Sequence, residues 1–287
     1  RKQEVINSID EQGKLTDEIV KSVAIAKTLA EVEDIYRPYK QKKKTRATVA
    51  KAKGLEPLAN IIIEQKETRP IEEIAKEFVN VDTVEKDASK DKIVANVEEA
   101  IQGALDIIAE NISDEPKYRK KIKGICYREA VINVKASNPE EKSSYDMYYD
   151  FNESIKRLPS HRILAINRGE KEDFLKVKID KPEEKILEYM ERDIIKGHTQ
   201  FEEYLKSTIE DSWKRIIEPS IDREIRSDLT EKAEEKAIKV FGKNAKQLLL
   251  GAPIKNLTVI GFDPAYRTGC KIAVIDETGK VLETTTI

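Results

Sequence analysis

The sequence predicts a mainly α chain: a multi-helix array followed by a short run of strands. Three observations carry this. Charged residues fill 37% of the 287 positions while there are only 11 Gly and 10 Pro, a profile of long solvated helices with few turns. Apolar residues recur at helical spacing through most of the chain, and after Gly251-Ala252-Pro253 the spacing switches to the alternation of strands. Two domains are expected at this length, 1–250 for the helices and 251–287 for the strands.

Each element has a local cause. Thr16, followed by Asp17 and Glu18, reads as an N-cap, and Ile19, Val23, Ala26, Ala30, Ile35 and Tyr36 form one stripe, predicting a single helix from Thr16 to Tyr36 that Pro38 ends. A short helix from Ala47 to Lys53 closes on Gly54 as a left-handed cap, and Leu55 to Ile63 starts another. Further helices are predicted over Ile71 to Phe78, Asp91 to Ile112 and Pro116 to Val134, the last with Asp114 as its cap and Pro116 in its first turn. Ser137 to Asp146 is a polar connection. The aromatic cluster Tyr145, Tyr148, Tyr149 and Phe151 serves core packing or base stacking, and packing is the commoner use. Ser160 reads as an N-cap for a helix through Ile166, and Phe174 to Ile179 alternates as one strand. Pro182 to Leu250 is helical, interrupted at Pro219, with Trp213 as a packing anchor. Strands are predicted at Leu257 to Phe262, Gly269 to Ile275 and Val281 to Thr286, a β-meander whose apolar faces need cover.

Several classes of function are excluded. No run approaches the ~18 apolar residues of a membrane span, and Arg1 opens no signal peptide, so no membrane role is expected. Cys126 and Cys270 stand alone, which suits a reducing cytoplasm. With only His161 and His198, His-rich metal sites and H-E-x-x-H chemistry are excluded, leaving carboxylates as the plausible metal ligands, and no G-x-G-x-x-G or P-loop pattern predicts a cofactor. Ser160 and His161 are sequence neighbours at a helix start, a poor arrangement for a nucleophile and its base. A start inside a helix and an end inside a strand suggest a piece of a longer protein.

The net charge of −2 conceals segregation. Arg37 to Gly54 holds eight cations and no acid, Lys117 to Arg128 six cations and no acid, and Glu67 to Glu115 fourteen acids against five bases. Clustered cations neutralise phosphates and release counterions. Lys40, Lys42, Lys43, Lys44 and Arg46 are therefore the first candidates for nucleic-acid contact, with Lys120, Lys121 and Lys123 second. The same runs also read as solvated helix faces. The acidic stretch suits a basic protein partner, so a protein-interaction module for transcription or ribosomal machinery is the competing class.

Gly261-Phe262-Asp263-Pro264-Ala265-Tyr266-Arg267-Thr268-Gly269-Cys270-Lys271 places an acid at the end of a buried strand, then a tight turn, then Gly opening a second strand. That is the opening arrangement of RNase H-like nucleases, in which this carboxylate helps hold Mg²⁺. One acid is not a two-metal site, and Asp263 before Pro also reads as a turn residue, so no metal and no catalytic residue is predicted. A Mg²⁺-dependent nuclease completed by further residues is the alternative.

Tyr36-Arg37-Pro38-Tyr39-Lys40 through Lys44-Thr45-Arg46-Ala47, Gly54-Leu55-Glu56-Pro57-Leu58, Arg157-Leu158-Pro159-Ser160-His161-Arg162, Asn167-Arg168-Gly169-Glu170, and Gly261 to Lys271 follow one another in order. Together they resemble successive landmarks of the bacterial Tex family of transcription accessory proteins. The resemblance implies a helical N-terminal region, then the first strands of a YqgF-type, RNase H-like α/β domain, degenerate for nuclease chemistry. It also implies helix-hairpin-helix elements and an RNA-binding OB-fold that this chain lacks. The expected function is that of a nucleic-acid-binding, RNA-directed transcription accessory protein, with this chain as scaffold and source of auxiliary phosphate contacts, and no enzyme.

Overall fold

The computed structural model describes residues 1–26, 29–40, 44–80, 93–251 and 256–287. It divides into two units, Arg1–Ala233 and Glu234–Ile287.

The first unit is helical around one small sheet. α1 (Lys2–Asp10), α2 (Asp17–Ile25) and α3 (Leu29–Tyr36) enclose a core of Val5, Ile9, Val23, Ala26 and Val32. Thr16 caps α2 by accepting from the Ile19 N–H. The single helix expected to Tyr36 is broken at Ala26, whose ψ of 128° leaves the helical region, so that Val23 and Val32 enclose the same core. α4 (Arg46–Ala52) is held by a reciprocal cap between Thr45 and Thr48, and Gly54 takes φ +79°, the left-handed turn its sequence predicts.

α5 (Glu56–Glu64), α6 (Ile71–Lys76), α7 (Val97–Asp114) and α8 (Pro116–Glu129) contribute to the main core. α7 is capped by Asn96 and starts later than expected; residues 91–92 of that expectation lie outside the described residues. Glu115, not Asp114, precedes Pro116 at the start of α8. That helix stops at Glu129, short of the expected Val134, because Val131, Ile132 and Val134 belong to a strand.

β1 (Val131–Ala136) is the central strand of an antiparallel sheet in the order β2-β1-β3, with β2 (Asp150–Ser154) and β3 (Leu175–Asp180) at its edges. Only β3 was expected. Ile132, Val134, Val177, Ile179 and Phe151 share its inward face by register. Tyr145 packs on Phe174 and Tyr148 edge-on against Phe151, so the aromatic cluster is core. α9 (Ser160–Lys171) crosses this sheet at Gly169, where an added Cβ would lie 2.6 Å from Leu175 Cδ1. Ser160 is the first helical residue after Pro159 and makes no capping bond, a correction to its expected role.

α10 (Glu183–Ile194) and α11 (Glu202–Asp211) lead into one π-helical turn, Ser212–Ile217, and then α12 (Glu218–Leu249). Pro219 does not interrupt the helix as expected. Proline lacks an N–H and crowds the carbonyl four residues back, and the wider π turn just before it accommodates both problems. Trp213 is fully buried there, with Ser212 donating to the Ala109 carbonyl at 2.8 Å.

In the second unit β4 (Val259–Asp263), β5 (Lys271–Ile275) and β6 (Val281–Thr286) form the expected meander. Gly269, at φ +79°, lies so close to the Ile287 carbonyl that a Cβ would approach to 2.7 Å. Phe262, Val281 and Leu282 remain more than half exposed.

Candidate nucleic-acid interface

The two basic runs fold onto acids supplied from elsewhere in the chain, and this decides which cations face outward. On α8, Arg119 and Lys123 stand one turn apart on the buried side. Arg119 is 1% exposed and donates to Asp34 at 2.9 Å, to Ser220 at 3.1 Å and to Glu224. Lys123 reaches Asp228 at 3.2 Å and Glu224 at 3.5 Å, with 17% of its side chain exposed. Arg37 joins the cluster 3.4 Å from Glu224, and burial together with neighbouring Arg119 lowers its pKa. Tyr127 donates to Asp228 beside them.

Lys120 and Lys121 point the other way and are exposed, Lys121 Nζ lying 5.6 Å from the centre of the Tyr189 ring. Lys117 is paired with Asp193 at 2.8 Å, and Tyr118 donates to the same carboxylate at 2.6 Å; these bonds hold Asp193 below the ordinary carboxylate range.

In the first run, Lys40, Lys44 and Arg46 are exposed, Arg46 opening α4. Lys42 and Lys43 lie outside the described residues. Lys53 is tied to Glu99, which also accepts from the Ala95 N–H, and Glu99 is held below its ordinary pKa by both bonds. Arg46 and Arg215 oppose the burial that raises Asp106.

Two grooves, of about 320 and 260 Å³, share Asn111 and Glu115. Lys40 and Lys51 rim the first and Lys117 and Lys196 the second, but Glu110, Asp114, Glu115 and Asp193 line them as well. Grooves with this much negative charge repel a phosphate backbone; Arg46, Lys120 and Lys121 are exposed and line neither groove, whereas Lys40 rims the first. The expected contact Lys123 is not among these exposed cations. Lys51 and Lys196 were not singled out from sequence; Lys51 sat inside the basic run, whereas nothing local marks Lys196.

Asp263 ends β4, is exposed, and faces Lys271 across the ladder. Among the described residues no group of three or more His, Cys, Asp or Glu could hold a metal ion. Asp276 is consumed by its own turn, accepting from the Thr278 hydroxyl and the N–H groups of Thr278 and Lys280, which lowers its pKa. Cys126 is buried, which pushes its thiol up to about 11 and leaves it unreactive. His161 is exposed at the start of α9. Among the described residues no helix is long and apolar enough to cross a membrane.

Residues 66–241 match the family described as Tex central region-like, and residues 257–287 match the Tex protein YqgF-like domain. Protein YdcI of Bacillus subtilis is 50% identical over 287 residues, covering 99% of this chain and 39% of the relative. Protein tex of Bordetella pertussis is 33% identical over 299 residues, covering 99% of this chain and 36% of the relative. S1 RNA-binding domain-containing protein 1 of Pongo abelii is 30% identical over 295 residues, covering 97% of this chain and 28% of the relative. The chain thus spans well under half the length of these curated relatives. A family match over more than half of the sequence, with a second over the three C-terminal strands, makes this chain a member of the Tex family.

Proposed function

We propose that this chain binds nucleic acid, RNA in the first instance, within a cytoplasmic transcription accessory protein, as a helical scaffold with auxiliary phosphate contacts and no catalytic step of its own. The observation that carries the reading is the sorting of cations on the basic segments: Arg119 and Lys123 are bound to acids, while Lys40, Arg46, Lys120 and Lys121 are left exposed. Relatives named for transcription accessory function and for S1 RNA binding support it. Exposed lysines give affinity without sequence selection, because phosphates carry no base identity.

The test is a variant in which Lys40, Lys44 and Arg46 become Gln. Binding to labelled single-stranded RNA should weaken equally across sequences, and the salt slope should fall by about 0.7 per lost contact. Unchanged affinity and slope would remove these residues from the interface. Retention of a protein partner from nuclease-treated lysate, with no RNA binding by the chain, would favour the protein-interaction reading.

A further inference from the structure

Beyond Glu235, α12 changes electrostatic character. From Glu218 to Glu235 it carries seven acids against Arg223, Arg226 and Lys232. Several of those acids hold cations from other elements: Glu218 and Asp222 accept from Lys181, Glu224 from Arg119, and Asp228 from Lys123. From Lys236 to Leu249 there are four lysines and no acid. Lys236, Lys239, Lys243 and Lys246 follow at intervals of three, four and three residues, which places them on one face of the helix. All four are exposed, and among the described residues none has an acid within 4.0 Å.

Two ordinary explanations fall short. Cations near a helix C-terminus gain from the macrodipole, but that attraction fades within the last turn and reaches only Lys246. A solvated face usually mixes signs so that neighbours three and four apart attract. Glu235 stands four residues before Lys239, but from Lys236 to Lys246 each successive pair of lysines on the face repels. Such a stripe costs helix stability when alone, and the cost is relieved when a polyanion lies along it.

We infer that the lysine face of α12 is a second nucleic-acid contact that takes the backbone phosphates of an RNA strand laid along the helix axis. This rests on the reading that the protein binds nucleic acid. At 1.5 Å of rise per residue, Lys236 and Lys246 are about 15 Å apart along the axis. That length passes roughly four phosphates at ~3.4 Å per nucleotide, one for each lysine. Lysine presents a point charge without the planar fork of arginine, which suits a contact indifferent to sequence. An anionic lipid surface, into which the helix would sink Ile238, Phe241, Leu248 and Leu249 from the face opposite the lysines, is the competing occupant that the vesicle arm of the test reads.

The experiment uses the 287-residue chain and fluorescein-labelled single-stranded RNA, titrated between 50 and 300 mM KCl, with Lys236, Lys239, Lys243 and Lys246 all changed to Gln. Glutamine keeps the helix propensity of lysine, so circular dichroism should be unchanged. Affinity should fall at least tenfold, on the order of the loss expected for four phosphate contacts, and the slope of log affinity against log salt should shrink by about three. The fourfold Lys→Arg variant should keep both. If the Gln variant loses helix, the pair Lys239→Gln and Lys243→Gln is read in its place, with about half the change in slope. Unchanged RNA affinity and slope overturn the inference, as does binding to phosphatidylserine vesicles through these lysines with RNA binding untouched. Loss in this variant without loss at Lys40, Lys44 and Arg46 overturns those three contacts and leaves α12 standing; the reverse pattern overturns α12 alone.

Discussion

Asp34 and Arg119, 85 residues apart in sequence, meet at 2.9 Å where the small core of α1–α3 adjoins the main one. Arg119 spans the joint, binding Asp34 on one side and Ser220 and Glu224 on the other, and it is the most deeply buried cation of the cluster. Removing it leaves Asp34 and Glu224 with only the longer contacts from Arg37 and Lys123. Arg119→Met should therefore destabilise the chain by about 3 to 5 kcal/mol, as breaking one side of a buried ion pair does. Adding Asp34→Asn should recover part of the loss. Urea unfolding followed by the fluorescence of Trp213, the single tryptophan, measures both.

Acid should weaken the contact between α8 and α10. The bonds from Lys117 and Tyr118 hold the pKa of Asp193 below its unfolded value, so its contribution is fully present above the unfolded pKa of about 3.9 and disappears as pH falls through the folded value. Asp193→Asn should be less stable than the parent at neutral pH, and the gap should close below about pH 4. Thermal unfolding of both proteins from pH 7 to pH 2.5 tests the sign; a gap that widens in acid would contradict it.

Gly169 should resist the substitution that usually improves a helix. Alanine gains about 1 kcal/mol in an exposed helix interior. Here its Cβ would stand 2.6 and 2.9 Å from Leu175 and 3.1 Å from Tyr145, both buried themselves. Overpacking of this kind costs about 1 to 3 kcal/mol, so Gly169→Ala should be net destabilising. A raised melting temperature would show that β3 yields more readily than its burial implies.

The chain should not cleave RNA in Mg²⁺ or Mn²⁺. Two-metal hydrolysis needs several carboxylates around ions about 3.5 to 4 Å apart, and Asp263 is an exposed strand-end residue opposite Lys271. Cleavage of labelled single-stranded RNA that disappears in Asp263→Asn would refute this.

The helices with local punctuation were legible: Thr16 caps, Gly54 turns left-handed, Pro116 opens α8. β1 was hidden because Tyr118, Ile122, Ile125 and Cys126 set up a helical stripe that the apolar residues after Glu129 extend without a break. β2, with Phe151 as its only large apolar residue, is a strand because β1 pairs with it, which no local pattern announces. The same limit governs the interface. Lys120 and Lys123 look alike in a basic run, but Lys123 lies one turn from Arg119, on the side that meets acids more than 100 residues away on α12. Several residues that carry the family resemblance serve as joints: Arg37 on Glu224, Glu170 binding Arg226, Asn167 donating to Thr230 at 2.8 Å. They mark the fold more directly than they mark chemistry.

The separation of the two cores bears on the order in which the protein comes apart. Helices of eight or nine residues are marginal alone, and among the described residues α1–α3 share five buried aliphatic side chains. Their amide hydrogens should exchange together through a local opening of lower free energy than global unfolding, while α7, α11 and α12 stay protected. When that opening occurs Asp34 departs but Glu224 keeps Arg119 neutralised, so the main core is not left with a bare guanidinium. The N-terminal helices are thus a segment that can detach without dismantling what lies beneath it.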